Sequence, residues 1–181
     1  MIDIEIKSTR KSLNTLPPKK IIAAEVRAIN KTARSVRTEI SKRVRAEVAL
    51  KASVIKGSVT MTKASRQAKP SAKVGVDAKP IPLKHYAARQ VKKGTTVRVK
   101  KKGGRKLIKH AFIADKLGSH VFQRKGDDRF PILKRFGPSV ADEVERIGSA
   151  LEGHIYDTLD KQIRQAIGWE LEKQARKNAK R

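Results

Sequence analysis

Residues 18–50 read PKKIIAAEVRAINKTARSVRTEISKRVRAEVAL, and this stretch decides the fold. Its apolar residues fall at Ile22, Val26, Ile29, Ala33, Val36, Ile40, Val44 and Val48, in steps of three and four. That spacing puts them on one face of an amphipathic α-helix. Lys31, Arg34, Arg37, Lys42 and Arg45 occupy the opposite face. Pro17 and Pro18 close the preceding segment, and Pro suits a first helical turn, where its missing N–H has no intrahelical partner to lose. A helix from about Pro18 to Leu50 has a length on the order of 50 Å. It is expected to pack one stripe on its own domain or on a neighbour and to leave the rest in water.

Outward from this helix the pattern changes. Met1 to Lys7 alternates apolar and charged residues, which reads as a strand and lacks the basic and apolar regions of a signal peptide. Val59–Thr62 and Ala72–Val76 alternate with period two, as half-buried strands do. Ser65–Ser71 and Lys79–Pro82 read as loops, with Pro70, Pro80 and Pro82 limiting extended pairing. Thr96–Lys101, a turn at Gly103-Gly104 and Arg105–His110 read as a hairpin with a mobile basic tip. Ala111–Ala114 and His120–Arg124 bracket a turn at Lys116–Gly118, and Phe112, Val121 and Phe122 predict the best-packed strand pair there. Gly126–Asp128 is a further turn, and Phe130–Leu133 is extended.

From Val140 to Leu171 the apolar residues return to a helical step, predicting a second long helix. Ser139 and Asp142 at its start resemble a capping box. Gly148, Gly153 and Gly168 weaken it by roughly 1 kcal/mol each relative to Ala, which predicts a bend or a close neighbour. Lys173–Arg181 is basic and expected to fray. The expected architecture is α+β: a long amphipathic N-terminal helix, a central antiparallel β-sheet with a basic hairpin, and a long C-terminal helix. The expected organisation is an N-terminal strand or arm at 1–17, a helix plus basic β-rich region at 18–137, and the C-terminal helix at 138–181, within one structural domain.

Charge separates these segments. Between Val48 and Ala114 there are eighteen Lys and Arg and one acid, Asp77. Ser139–Glu172 reverses the balance, with eight acids against three bases. A field of one sign opposes compaction unless an anion compensates it. The candidate anion-facing residues are Lys92, Lys93, Arg98, Lys100, Lys101, Lys102, Arg105, Lys106 and Lys109. Their anion is a nucleic-acid backbone or an acidic protein. No aromatic lies between Lys92 and Lys109, so the stretch has no stacking platform for bases. A mainly lysine set acts as point charges without base readout.

No catalytic constellation is visible. His85, His110, His120 and His154 lack metal-ligand spacing, and no Walker loop, GxGxxG or GxSxG occurs. Asp127-Asp128 reads as a solvated loop paired with Arg129 rather than as a metal site, and Trp169 as helix packing. There is no Cys for a disulfide and no apolar run of membrane-spanning length. These features predict a soluble intracellular protein, not an enzyme, with no metal and no cofactor.

The block Ala111, Phe112, Ile113, Gly118, Val121, Phe122, Arg124, Arg129, Phe130, Pro131 and Ile132 carries a resemblance. It is similar to an Ala-Phe-Ile, His-Val-x-x-Arg, Arg-aromatic-Pro-Ile signature of the prophage minor tail protein Z family, the tail-completion proteins of lambda-like long-tailed phages. The chain departs from it at His110, where a small residue such as Gly is expected before Ala-Phe. The resemblance implies a virion structural protein at the head-proximal end of a tail, assembled in the host cytoplasm. It implies a homo-oligomeric ring around the DNA channel that joins tail to neck. It implies tail terminator, tail tube and connector proteins as partners, with non-specific contact to passing DNA and no membrane. The competing reading is a cytoplasmic, non-specific nucleic-acid-binding protein of ribosomal or nucleoid type.

Overall fold

The computed structural model describes residues 1–7, 16–67 and 69–179. Ser8–Thr15, Ala68, and Lys180 and Arg181 of the basic tail lie outside the described residues. The fold is α+β, and the chain divides into two compact units. The first comprises residues 1–40, 59–76 and 147–181, and the second residues 41–58 and 77–146.

In the first unit, strands β1 (Ile2–Lys7) and β2 (Val59–Thr62) flank β3 (Ser71–Val76) in an antiparallel sheet of order β1-β3-β2. The register runs Ile2 to Val76 and Lys7 to Ser71 on one side, and Val59 to Val76 on the other. Period-two alternation works as expected: Ala72, Val74 and Val76 are fully buried while Lys73 points to water. Helix α1 (Pro18–Glu47) spans the predicted range to within three residues. Its stripe is buried at Ile29, Ala33, Val36, Ile40 and Val44. Asn30 fastens it to the segment after β2, its amide donating to the Ala64 carbonyl (3.1 Å) and its Oδ1 accepting from the Ala64 N–H (2.8 Å).

The predicted C-terminal helix is interrupted. Helix α3 (Val140–Arg146) ends at Arg146, and α4 (Gly148–Asn178) restarts at Gly148. Of the three glycines, only Gly148 marks the break; the helix passes through Gly153 and Gly168, and no atom crowds a Cβ placed at either. The halves serve different cores: α3 belongs to the second unit and α4 to the first. Helix α4 runs antiparallel to α1, since Lys20 meets Gln174 (3.1 Å), Arg27 meets Glu170, and Ser35 meets His154 (3.1 Å). The Trp169 ring lies within cation–π distance of both the Arg27 guanidinium (4.4 Å from the ring centroid) and the Lys173 ammonium (4.7 Å). Much of the α4 stripe is uncovered. Leu151 and Leu159 are buried, Ile155, Ile163 and Ile167 are half-buried, and Leu171 is 40% exposed.

The second unit holds the other strands, spread over three small antiparallel sheets rather than one central sheet. They are β4 (Ile81–Pro82), β5 (Arg89–Val91), β6 (Gly94–Val97), β7 (Lys106–Lys109), β8 (Ala111–Ala114), β9 (His120–Arg124), β10 (Ile132–Lys134) and β11 (Phe136–Gly137). The short helix α2 (Ala52–Gly57) also belongs here. The sheets are β5-β6-β7, β8-β9-β10 and the pair β4-β11. The expected loop Lys79–Pro82 is thus half strand, because Pro82 needs no N–H at its place opposite Phe136 on a two-stranded ribbon. Strands β8 and β9 have the predicted bounds but are not the best-packed pair. Ala111 and Val121 are buried, whereas Phe112 and Phe122 are half-buried, their rings 6.2 Å apart. The two phenylalanines share a sheet face opposite the one that points inward.

The capping box forms reciprocally: the Asp142 N–H donates to Ser139 Oγ (3.2 Å) and the Ser139 N–H to Asp142 Oδ2 (2.8 Å). Beside it lies Tyr86, 1% exposed, whose hydroxyl donates to the Pro138 carbonyl (2.5 Å). Burial, then Glu143 and Asp142, push its phenol far above the ordinary range, so it remains a donor. A Cβ at Gly137 would lie 2.7 Å from the Tyr86 ring, so only glycine lets the backbone pass there. We expect Tyr86→Phe to lower stability by about 1 kcal/mol in urea denaturation through loss of this hydrogen bond.

Candidate partner-facing basic surface

The nine basic residues singled out from the sequence are all exposed and lie around the β5-β6-β7 sheet. The predicted hairpin exists with shorter arms: Gly94 faces Lys109 and Val97 faces Lys106, so β6 begins two residues early and ends at Val97. Strand β5 has no signal in the sequence, because Arg89, Gln90 and Val91 are all exposed and carry no alternation. Lys92 and Lys93 form the two-residue turn between β5 and β6, since Val91 pairs with Gly94. Gly94 has φ 146°, and a Cβ on it would lie 2.1 Å from the Ile108 carbonyl oxygen. This backbone requires glycine. Gln90 joins the sheet to β8 by accepting from the Ile113 N–H (2.8 Å) and donating to the Gly94 carbonyl (2.9 Å).

The fold divides the nine into two groups at opposite ends of the β6–β7 ladder, ~10 Å apart at the strand rise. Lys92, Lys93 and Lys109 cluster at one end, where they line a groove of about 460 Å³ with His110. Arg98, Lys100, Lys101, Lys102, Arg105 and Lys106 occupy the other, in and beside the loop of residues 98–105. This loop is tied down. Val99 accepts from the Ala49 N–H (2.9 Å), the Lys101 N–H donates to the Glu47 carbonyl (2.7 Å), and Lys100 bridges to Val48. Lys101 thereby satisfies one of the orphan carbonyls of the α1 C-terminus, whose partial negative charge favours nearby cations.

The two arginines are absorbed by the scaffold. Arg98 donates to the Lys101 carbonyl. Arg105 donates to the Ala87 carbonyl, the Thr96 hydroxyl (3.1 Å) and the Thr96 carbonyl (3.0 Å). The four lysines at this end make no ion pair with a described residue. Elsewhere, Asp127 and Asp128 are exposed in a bend, and Arg129 lies over the Phe130 ring (5.7 Å) instead of pairing with them. No group of three or more His, Cys, Asp or Glu among the described residues is placed to hold a metal. No described helix is long and apolar enough to cross a membrane.

Of the signature residues, Ala111 and Val121 are buried. Phe112, Ile113, Phe122 and Ile132 are half-buried, and Gly118, Arg124, Arg129, Phe130 and Pro131 are exposed, Phe130 by 65%. His110, the point of departure, has φ 59°. The residue that precedes Ala-Phe therefore occupies the left-handed region where glycine is at ease and a side chain is not.

A second set of cations was invisible as a pattern, since its members are far apart in sequence. Lys84 Nζ (3.3 Å) and Lys134 Nζ (3.2 Å) both donate to His120 Nε2. Burial, then Lys134, Lys84 and His85, hold the His120 imidazole below its ordinary range. Burial, then Lys84, Lys51 and Lys134, do the same for His85.

Residues 6–181 match the family model described as prophage minor tail protein Z (GPZ), and the chain belongs to this family. It is accordingly a structural protein of a phage tail, with its place in the virion. No curated protein and no solved structure matches it.

His110→Gly is expected to raise stability by up to about 1 kcal/mol in urea denaturation, and His110→Val to lower it. A depressed imidazole value favours the neutral form in the folded state. The unfolded chain takes up protons first as pH falls below 6.5, so the stability these groups contribute above that point is lost on acidification. Thermal melts between pH 7 and pH 5 should show this fall, and the His85→Asn, His120→Asn double variant should flatten it.

Proposed function

We propose that this tail protein completes the head-proximal end of the tail, where copies form a ring around the DNA channel and join tail to neck. Its partners are the tail terminator, the tail tube and the connector. In that ring the loop of residues 98–105 and the first residue of β7 present Lys100, Lys101, Lys102 and Lys106 to passing DNA or to the acidic lining of an adjacent ring. Symmetry repeats each patch around the lumen. The observation that carries this reading is a lysine-rich loop that is exposed, anchored by backbone hydrogen bonds and unpaired with any described acid. A second observation supports the oligomer: α4 leaves Tyr156, Trp169 and Leu171 at 72%, 48% and 40% exposure.

Arg98 and Arg105 hold the loop, so the four lysines are the residues to change. Lys100→Gln, Lys101→Gln, Lys102→Gln and Lys106→Gln together should leave the thermal melt unchanged and reduce the yield of infective particles. Each lost phosphate contact should lower the salt slope of DNA binding by about one. Normal infectivity of this variant, or absence of the protein from purified virions by mass spectrometry, overturns the reading.

A further inference from the structure

The strongest unassigned feature is the convergence of Lys84, His120 and Lys134 in the second unit. An imidazole Nε2 has a single lone pair, yet two ammonium groups donate to it at 3.3 and 3.2 Å. Lysine is only a donor, so Nε2 is the acceptor and the ring proton sits on Nδ1. That Nδ1 is buried and has no hydrogen-bond partner. Lys84 also reaches the Gly118 carbonyl (3.2 Å), whereas Lys134 overlies the half-exposed Phe136 ring (5.5 Å). The charges acting on His120 and on neighbouring His85 are all positive, and neither lysine pairs with a described carboxylate. Two like charges brought together around one neutral acceptor repel each other. An anion placed between them converts that repulsion into two charge-assisted hydrogen bonds.

The space beside the cluster indicates what carries the anion. A groove of about 610 Å³ opens at Lys84, with Lys51 and His85 also on its wall and Leu50, Ala88 and Ile113 providing apolar lining. Protein contacts to a nucleic-acid backbone are mostly hydrogen bonds to phosphate and sugar oxygens, which leave an aliphatic lining of this kind without a matching partner. A protein segment supplies both chemistries, a carboxylate and an adjoining aliphatic side chain. We propose that Lys84, His120 and Lys134, with the adjoining groove, form a docking site for an acidic, aliphatic-containing peptide segment of a protein partner. This site is separate from the lysine loop. It rests on the tail reading only in taking that partner to be a neighbouring virion protein.

The test uses the full chain and imidazole proton–nitrogen correlation spectra of His85 and His120. The probes are acetyl-Leu-Glu-Leu-Glu-Leu-Glu-amide, the same peptide with Gln for Glu, inorganic phosphate, and a short duplex DNA. The Glu peptide should shift both imidazoles saturably and bind at least tenfold more tightly than the Gln peptide or phosphate. The Lys84→Gln, Lys134→Gln double variant should bind it roughly tenfold more weakly and melt no lower than the parent, because removing the pair relieves repulsion. The four-lysine loop variant should bind it unchanged. The proposal is overturned if the Glu peptide leaves both imidazoles unmoved. It is also overturned if phosphate binds as tightly as the peptide, or if DNA shifts the same resonances at lower concentration than the peptide does. None of these readouts depends on infectivity or virion content, so this site and the tail reading fail separately.

Discussion

Burial of one stripe along a single 30-residue helix is the constraint on which the rest depends. Helix α1 contributes Ile29, Ala33, Val36 and Ile40 to the first unit and Val44 to the second, all at most 1% exposed. Each of the four isoleucine and valine side chains is worth roughly 1.5–3 kcal/mol of burial, in a chain with only 4% aromatic residues. The helix also gives polar anchors to its neighbours: Asn30 clamps Ala64, Arg27 meets Glu170, and Glu47 at the far end receives the Lys101 N–H.

The second constraint is charge. A chain of net charge +27 must hold its cations apart or supply them with counter-charge. The structure does so in three ways. It turns the lysines of the β5-β6-β7 sheet outward and sets them at its two ends. It uses arginine guanidinium groups to bind backbone carbonyls, as Arg98 and Arg105 do. It lays the most basic loop on the C-terminal end of α1, where helix carbonyls carry partial negative charge. The exception is the Lys84–His120–Lys134 cluster, where positive groups converge and neither lysine pairs with a described acid.

Elements set by local periodicity were legible in advance. The α1 stripe, the strands at Val59–Thr62, Ala111–Ala114 and His120–Arg124, and the box between Ser139 and Asp142 all follow from spacing alone. The misreadings fall where local pattern carries no instruction. The apolar step runs unbroken from Val140 to Leu171, yet the helix stops at Arg146 and restarts at Gly148, where the chain passes from the second unit to the first. Phe112 and Phe122 look like core by composition but lie on the outward sheet face, since Ala111 and Val121 take the inward one.

By itself, then, the amino-acid order determined the helices, most of the strands, the surplus of positive charge and the family, because these rest on periodicities and motifs within a few tens of residues. Only the tertiary structure decided which cations stand together. Lysines that are neighbours in sequence, such as Lys93 and Lys100, went to opposite ends of one ladder through strand pairing, and residues as distant as Lys84 and Lys134 met at one imidazole. Charge acts through space, and its neighbours are chosen by chain crossings that no local pattern encodes.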